Sequence, residues 1–477
     1  MEQTIVGRKE ELAILNKAFQ SKEPEMVAVI GRRRVGKTFL IRHAYQGKID
    51  FDLTGIQNGS SREQLQNFAD RLTLYAKPLF PFQRPANWLQ AFQMLVVWLE
   101  STPKREKRVV FFDELPWLAT RNSDFIKALG YFWNSWASEE NVCVVICGSA
   151  ASWMIANVVR DKGGLHNRIT RRVYLAPFTL SETEQYLTSR NARLDRYQIL
   201  LIYMALGGIP HYLKEIEGGK TAAQNIDFIC FSQNGILKDE FLQLYPALFD
   251  NPDTHIKIVR SLGQTWQGLS RNEIIESAQL QNNGNTTRAL DELVSSGFVS
   301  TYYSFGKKIK DLRYRLTDEY SLFYLKFIEE NQGSGQSSWQ TISQTQSWKS
   351  WSGYAFENLA LRHVPQIKKA LGISGIYTET SSFYQKGTTQ QQGVQIDLLI
   401  DRADQAINLC ELKFYKSEVV VTKAIAKELR TKLALFQAAS QTKKQIFISL
   451  IAPYGILQNE HSLGLVDNAL GMDIFFE

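Results

Sequence analysis

Cysteine is scarce, with 4 in 477 residues, and their spacing does not make a disulfide framework. Cys143 and Cys147 fall in one apolar run at even spacing, which puts both on one side of a strand as buried thiols. A reducing, cytoplasmic setting is the expectation. None of the 6 histidines stands in an H-x-x-x-H or Cys-x-x-Cys context, which argues against a zinc site. No run approaches the ~20 apolar residues of a membrane span. The opening Met1-Glu2-Gln3-Thr4 lacks the basic-then-apolar pattern of a secretory signal.

What is present reads as globular and soluble. The chain is 44% hydrophobic and 22% charged. Its length suggests about three domains. A net charge of +7 permits a polyanionic partner without requiring one.

The strongest signal is Gly31-Arg32-Arg33-Arg34-Val35-Gly36-Lys37-Thr38. It follows the apolar run 26–30 and leads into Phe39-Leu40-Ile41-Arg42, so strand, loop and helix come in the order that G-x-x-x-x-G-K-[ST] requires. The glycines let the backbone curl round a phosphate, and successive N–H groups face the anion. The expected nucleotide contacts are Gly31, Arg34, Val35, Gly36, Lys37, Thr38 and Phe39. Lys37 is expected on the β- and γ-phosphates, and the Thr38 hydroxyl on Mg²⁺.

Val109-Val110-Phe111-Phe112-Asp113-Glu114 is an apolar strand ending in two acids. After a phosphate loop, the first acid is expected to hold Mg²⁺ and the second to polarise the attacking water. Asp113 is thus the expected metal residue and Glu114 the general base. The run 142–147, short and β-branched, suits a parallel strand buried on both faces and ends at Gly148-Ser149. Ser149 is either a residue that helps place the water or part of a Gly-Ser turn. Arg168, Arg171 and Arg172 follow the glycine-loosened stretch 163–167, so Arg168 is an arginine-finger candidate or part of a solvent-facing basic loop.

Further along, 50–53 reads as a short strand and 61–100 as helical. Residues 180–249 give repeated helical patterns, with Gly207-Gly208-Ile209-Pro210 as a break. Residues 255–331 read as a winged helix. Its helices are 255–262, one opened by the capping box Ser270-Arg271-Asn272-Glu273, and 286–296. A hairpin carrying Lys307, Lys308, Lys310, Arg313 and Arg315 follows, able to neutralise phosphates, while Arg288 sits on the helix expected to read a groove. The polar stretch 331–349 reads as a linker. Beyond it come the helical pattern 351–361 with Glu357, a strand 393–400 with Asp397 inside it, and a strand 407–413 with Glu411 and Lys413 on one face. A helix is expected over 422–438. Alternating charges on an exposed strand face would also explain the Glu-x-Lys.

Val6-Gly7-Arg8, ahead of the phosphate loop, resembles the entry motif of AAA+ and STAND ATPases. That resemblance implies an adenine-side role for Val6, Gly7 and Arg8, and a sensor role for Ser149. Gly207 to Pro210 resembles the Gly-x-Pro motif of STAND ATPases, which implies that Pro210 packs on adenine. Acid, then acid-x-lysine, resembles the PD-(D/E)-x-K nuclease fold, with Ile396 where the motif's proline would stand. That implies Asp397 and Glu411 as Mg²⁺ or Mn²⁺ ligands, Glu357 as a further ligand and Lys413 as a catalytic cation. The full order of motifs resembles the archaeal-type ATPase family, related to STAND and AAA+ proteins. The implied architecture is α/β: a P-loop NTPase parallel sheet at 1–178, a helical lid at 179–252, a winged helix at 253–330, the linker, and a restriction-endonuclease-like domain at 350–477. The implied function is Mg²⁺-dependent ATP hydrolysis on or near DNA, coupled either to metal-dependent cleavage or to a binding module without catalysis. DNA is the expected partner, and self-association or a protein partner stays open.

Overall fold

The structure is a computed structural model that describes every residue except 1–4, 104, 121–122, 161–164, 166, 307–310, 332–337, 386 and 388–392. Two compact units divide the chain: Met1–Pro177 with Asp291–Ser296, and Phe178–Leu290 with Gly297–Glu477.

The first unit is organised by a parallel sheet of β1 (Glu25–Ile30), β2 (Ile49–Thr54), β3 (Arg108–Asp113), β4 (Val142–Gly148) and β5 (Arg171–Tyr174). Their order is β2-β3-β4-β1-β5, all parallel. Every residue of β1, β3 and β4 is buried, which is why these strands read as unbroken apolar runs. One face packs on the helices Ser61–Ala76, Trp88–Ser101 and Phe125–Phe132, with Met26, Phe112 and Ile146 in the shared core. The helix Lys9–Gln20 packs against β1 and β5. The helical stretch expected over 61–100 is two helices, because Pro78, Pro81 and Pro85 between them cannot continue a helix. Ser60 with Glu63 forms a capping box on the first, and the Asn87 side chain caps the second.

The second unit begins with the helices Leu180–Ser189, Arg196–Leu206, Pro210–Leu213, Ala222–Ile226 and Glu240–Leu244. The helix Pro252–Gly263, strand β6 (Leu269–Ser270), the helices Arg271–Ser277 and Gly284–Ser295, and strands β7 (Val299–Tyr302) and β8 (Arg313–Leu316) follow, residues 291–295 at the end of the last helix being counted in the first unit. The capping box of Ser270 and Glu273 opens the second of these helices. The strands form an antiparallel sheet in the order β6-β8-β7. The wing lysines 307, 308 and 310 lie outside the described residues.

The linker expected at 331–349 differs in its described part. Residues 332–337 lie outside it, but Trp339–Ile342 is a helical turn and the helix Gln346–Arg362 starts well before position 350. The cause is aromatic burial. Trp339 is 2% exposed and meets Phe323, Phe327 and Trp348 edge-on at centroid distances of 4.8, 5.2 and 5.1 Å.

The C-terminal sheet contains β9 (Thr378–Gln385), β10 (Val394–Arg402), β11 (Ala406–Leu412), β13 (Gln445–Ile451) and β15 (Asn468–Leu470), in the order β15-β13-β11-β10-β9. Strands β12 (Val419–Val420) and β14 (Ile456–Leu457) pair separately. The helix Lys423–Ser440, capped by Thr422, buries Phe436 against Ile396, Leu399 and Leu409. Among the described residues no helix is long and apolar enough to cross a membrane.

Candidate functional site

β1 pairs with β4, and β4 with β3, so three neighbouring strands present loop 31–38, Ser149 and Asp113 from their carboxyl ends. That is where open parallel sheets place their ligand sites. The loop's shape is fixed sterically. A Cβ on Gly31 would meet Leu175 O at 2.4 Å, while Arg34 at φ 71° and Gly36 at φ 93° take the left-handed turn into the helix Lys37–Ala44. Lys37 Nζ donates to Arg32 O at 2.9 Å, folding the side chain back over the loop. Burial pulls its ammonium below the ordinary lysine value, against the opposing charges of Glu114 and Asp113. Val35 is buried, and Phe39 is 42% exposed and stacks on His43.

Thr38 Oγ1 donates to Asp113 Oδ2 at 2.8 Å. Cys147 Sγ donates to the other oxygen, Oδ1, at 2.7 Å, and so does the Glu114 backbone N–H at 2.9 Å. Glu114 takes a left-handed backbone, φ 49°. Its Oε2 accepts from both Ser149 N at 3.0 Å and Ser149 Oγ at 2.8 Å. Burial, then the Asp113 carboxylate, push the Cys147 thiol well above its ordinary value, which keeps the proton on sulfur as a donor. In the sequence Cys147 reads only as a buried thiol. Its one available signal was its place just before Gly148-Ser149.

A magnesium ion here would use oxygen ligands, with phosphate and water completing the shell. Thr38 and Asp113, already 2.8 Å apart, fit that donor set. Among the described residues no group of three or more His, Cys, Asp or Glu side chains is placed to hold a metal alone, and a site shared with phosphate needs none.

Gly7 at φ 63° and Arg8 at φ 57° form the left-handed entry to the helix Lys9–Gln20, and buried Arg8 pairs with Glu11 at 3.4 Å. Val6 is partly buried beside them. Arg168 is exposed on a turn whose N–H donates to Leu165 O at 3.0 Å. Gly163, Gly164 and His166 lie outside the described residues. Arg171 is spent on Glu25, at 2.6 Å. Pro210 is the first residue of the helix Pro210–Leu213 in the second unit. The glycines before it have a packing cause: a Cβ on Gly208 would meet Phe178 O at 1.9 Å.

In the second unit, Leu398 on β10 pairs with Cys410 on β11, and Asp397 and Glu411 are the next residues along the two strands. A register shift between Ile396 and Leu399 against β9 marks a bulge at Asp397. Glu357 comes from the helix Gln346–Arg362. Burial, then the Asp397 charge, push Glu357 up to about 8. Both lysines close on Glu411: Lys413 Nζ at 2.9 Å, and Lys432 Nζ at 2.9 and 2.8 Å to its two oxygens. Burial disfavours both ammonium groups, but the charges and hydrogen bonds of Glu411, with Glu428 adding to them, together hold their pKa values above the ordinary one. Gln395 Nε2 donates to Asp397 Oδ1 at 2.6 Å.

Glu411 is paired with two ammonium groups, and among the described residues no group of three or more carboxylates is placed to hold a metal ion. Lys432 was invisible as a partner because it enters from a helix 21 residues downstream. Arg313 and Arg315 also differ from free wing residues. Arg313 pairs with Glu273 at 3.2 Å and donates to Gly268 O at 2.8 Å, and Arg315 is 8% exposed.

A phosphate loop and a paired-acid strand end, joined across a parallel sheet, define a P-loop ATPase domain. Residues 5–216 match the family described as an ATPase domain predominantly from Archaea. The uncharacterized protein MJECL04 of Methanocaldococcus jannaschii is 20% identical over 440 residues, spanning 90% of this chain and 92% of that protein. Among solved structures, the Walker-type ATPase PABY2304 of Pyrococcus abyssi is similar over 68% of this chain and 96% of its own, at 16% identity and TM-score 0.49. The Aeropyrum pernix ORC2 protein is similar over 69% and 96%, at 14% identity and TM-score 0.43.

Proposed function

We propose that this chain binds ATP and hydrolyses it with Mg²⁺, acting on or near DNA through a second unit that binds rather than cuts. The carrying observation is the 2.8 Å bond from Thr38 to Asp113, which joins two motifs 75 residues apart. In this reading the N–H groups of loop 31–38 and Lys37 bind and orient the phosphates. Thr38 and Asp113 hold the Mg²⁺, which when bound neutralises charge building on the phosphates. Glu114 takes the proton of the attacking water, and Ser149 fixes its carboxylate. Val6, Gly7 and Arg8 lie along the adenine, and Arg168 is the cation offered to the γ-phosphate.

The DNA side rests on the helices and antiparallel hairpin between 252 and 316, whose order supports a winged helix, with Asn285, Thr287 and Arg288 exposed on its third helix. A nuclease-like ancestry of the C-terminal sheet is supported by the order of Glu357, Asp397, Glu411 and Lys413. The two lysines on Glu411 favour a module without cleavage.

Two measurements test this. Lys37→Ala should weaken ATP binding by about tenfold or more in calorimetry, and wild-type affinity would contradict the phosphate role. Plasmid DNA incubated with the chain, ATP and Mg²⁺ or Mn²⁺ should stay intact. Cleavage abolished by Lys413→Ala would restore the nuclease reading.

A further inference from the structure

A cavity of about 240 Å³ lies inside the second unit, walled by the hairpin β7–β8 and by β9 and β10. Its walls are tied together. Phe305 N–H donates to Ser382 O at 2.7 Å, and Gln267 Nε2 donates to Gln395 Oε1 at 2.7 Å. Arg315 lines the cavity and is 8% exposed. Its Nη2 has no hydrogen-bond partner among the described residues, and neither has the buried Ser381 Oγ on the facing strand. Buried donors are normally paired, so two unpaired ones lining a single cavity call for an acceptor from outside the chain.

A guanidinium has donors and no acceptors, and its fork matches the oxygens of a phosphate. Arg313 lines the same wall and adds positive charge, although its own donors go to Gly268 O, Gln267 O and Glu273. Asp397, on another part of the wall, is an acceptor suited to a ligand hydroxyl. The volume is below the roughly 300–1,000 Å³ of sites for drug-sized molecules, so it suits a phosphate with its sugar and excludes a duplex.

We propose that this cavity is a phosphate-monoester site, in which Arg315 and Ser381 donate to the phosphate oxygens and Asp397 accepts from the attached sugar. The phosphate belongs either to a nucleic-acid end or to a small free phosphate. Only the first source rests on the nucleic-acid reading of this unit; the unpaired donors stand without it.

The test uses the full chain with its P-loop filled by ADP and Mg²⁺, so that added phosphate does not report on Lys37. A short labelled single-stranded oligonucleotide, with and without a 5′-phosphate, is titrated by anisotropy, and inorganic phosphate is added in thermal unfolding. The phosphorylated strand should bind about tenfold tighter, and Arg315→Gln and Ser381→Ala should each erase most of that preference while ATP turnover is unchanged. Ser381→Ala also guards against misfolding of the Arg315 variant. Loss of an unpaired buried hydroxyl should not destabilise the chain, so a binding loss there is not a folding loss. If no oligonucleotide binds, but inorganic phosphate raises the melting temperature in an Arg315-dependent way, the site stands with a small-phosphate source and the nucleic-acid reading fails. If oligonucleotides bind equally with and without 5′-phosphate, and phosphate stabilises wild type and Arg315→Gln alike, the site is overturned while the nucleic-acid reading survives.

Discussion

Cys147 donates a thiol hydrogen bond to Asp113, the carboxylate that Thr38 also binds. It is therefore a positioning residue: it holds one oxygen of the acid while the other faces the phosphate loop. The neighbouring Glu114 occupies a left-handed backbone conformation that costs on the order of 1 kcal/mol, and two bonds from Ser149 and the one from its own N–H to Asp113 hold it there. Cys147→Ala should leave Asp113 less fixed and lower Mg²⁺-dependent ATP turnover by about fivefold, the worth of one hydrogen bond. Cys147→Ser restores a donor and should recover most of it. Titrating Mg²⁺ in a steady-state assay separates the cases, and an alanine variant equal to wild type would remove Cys147 from the site.

At the scale of elements, His363 couples the start of one helix to the end of another. Its Nε2 accepts from the Leu180 N–H at 3.2 Å, and its Nδ1 bonds Leu359 O at 2.8 Å, which assigns the neutral Nδ1–H tautomer. Burial, with Arg362 adding to it, lowers its pKa from 6.5 to about 4. The folded state thus binds fewer protons than the unfolded one. The stabilisation is fully present above about pH 6.5, falls as pH drops, and is gone below about pH 4, a loss of about 3 kcal/mol. Melting temperatures measured across that range should fall less steeply for His363→Gln than for wild type. Parallel curves would mean that another group carries the acid sensitivity.

Elements with strong local patterns were legible in the residues. The unbroken apolar runs of β1, β3 and β4, and the box at Ser270 and Glu273, state their own structure. So did the phosphate loop and its partner acids, because their chemistry is local to strand ends. What was hidden depends on distant packing. The run around 339 is polar in composition, but Trp339 is drawn into an aromatic cluster with Phe323 and Trp348, so a stretch read as linker becomes helix. Lys432 neutralises Glu411 only after a helix folds back over the sheet, and Arg315 turns inward only because its strand faces β9 and β10 across a cavity. No spacing rule carries such pairings.

At the scale of the whole molecule, the chain joins a first unit with a parallel sheet and a phosphate loop to a larger second unit with its own polar cavity, and residues 5–216 match an ATPase domain family predominantly from Archaea. The first unit supplies the phosphate loop, with Thr38, Asp113 and Glu114 gathered at the strand ends. The second supplies an antiparallel hairpin and a mixed sheet whose Glu411 is held by two lysines. Turnover at the first unit is the claim on which the rest depends. Its most direct measurement pairs equilibrium ATP binding with ATP turnover for Glu114→Gln in the full chain. The account predicts affinity within about threefold of wild type and turnover lower by roughly 10²–10⁴-fold, because the amide keeps the shape but cannot take the proton. Wild-type turnover by a variant that binds ATP normally would contradict it.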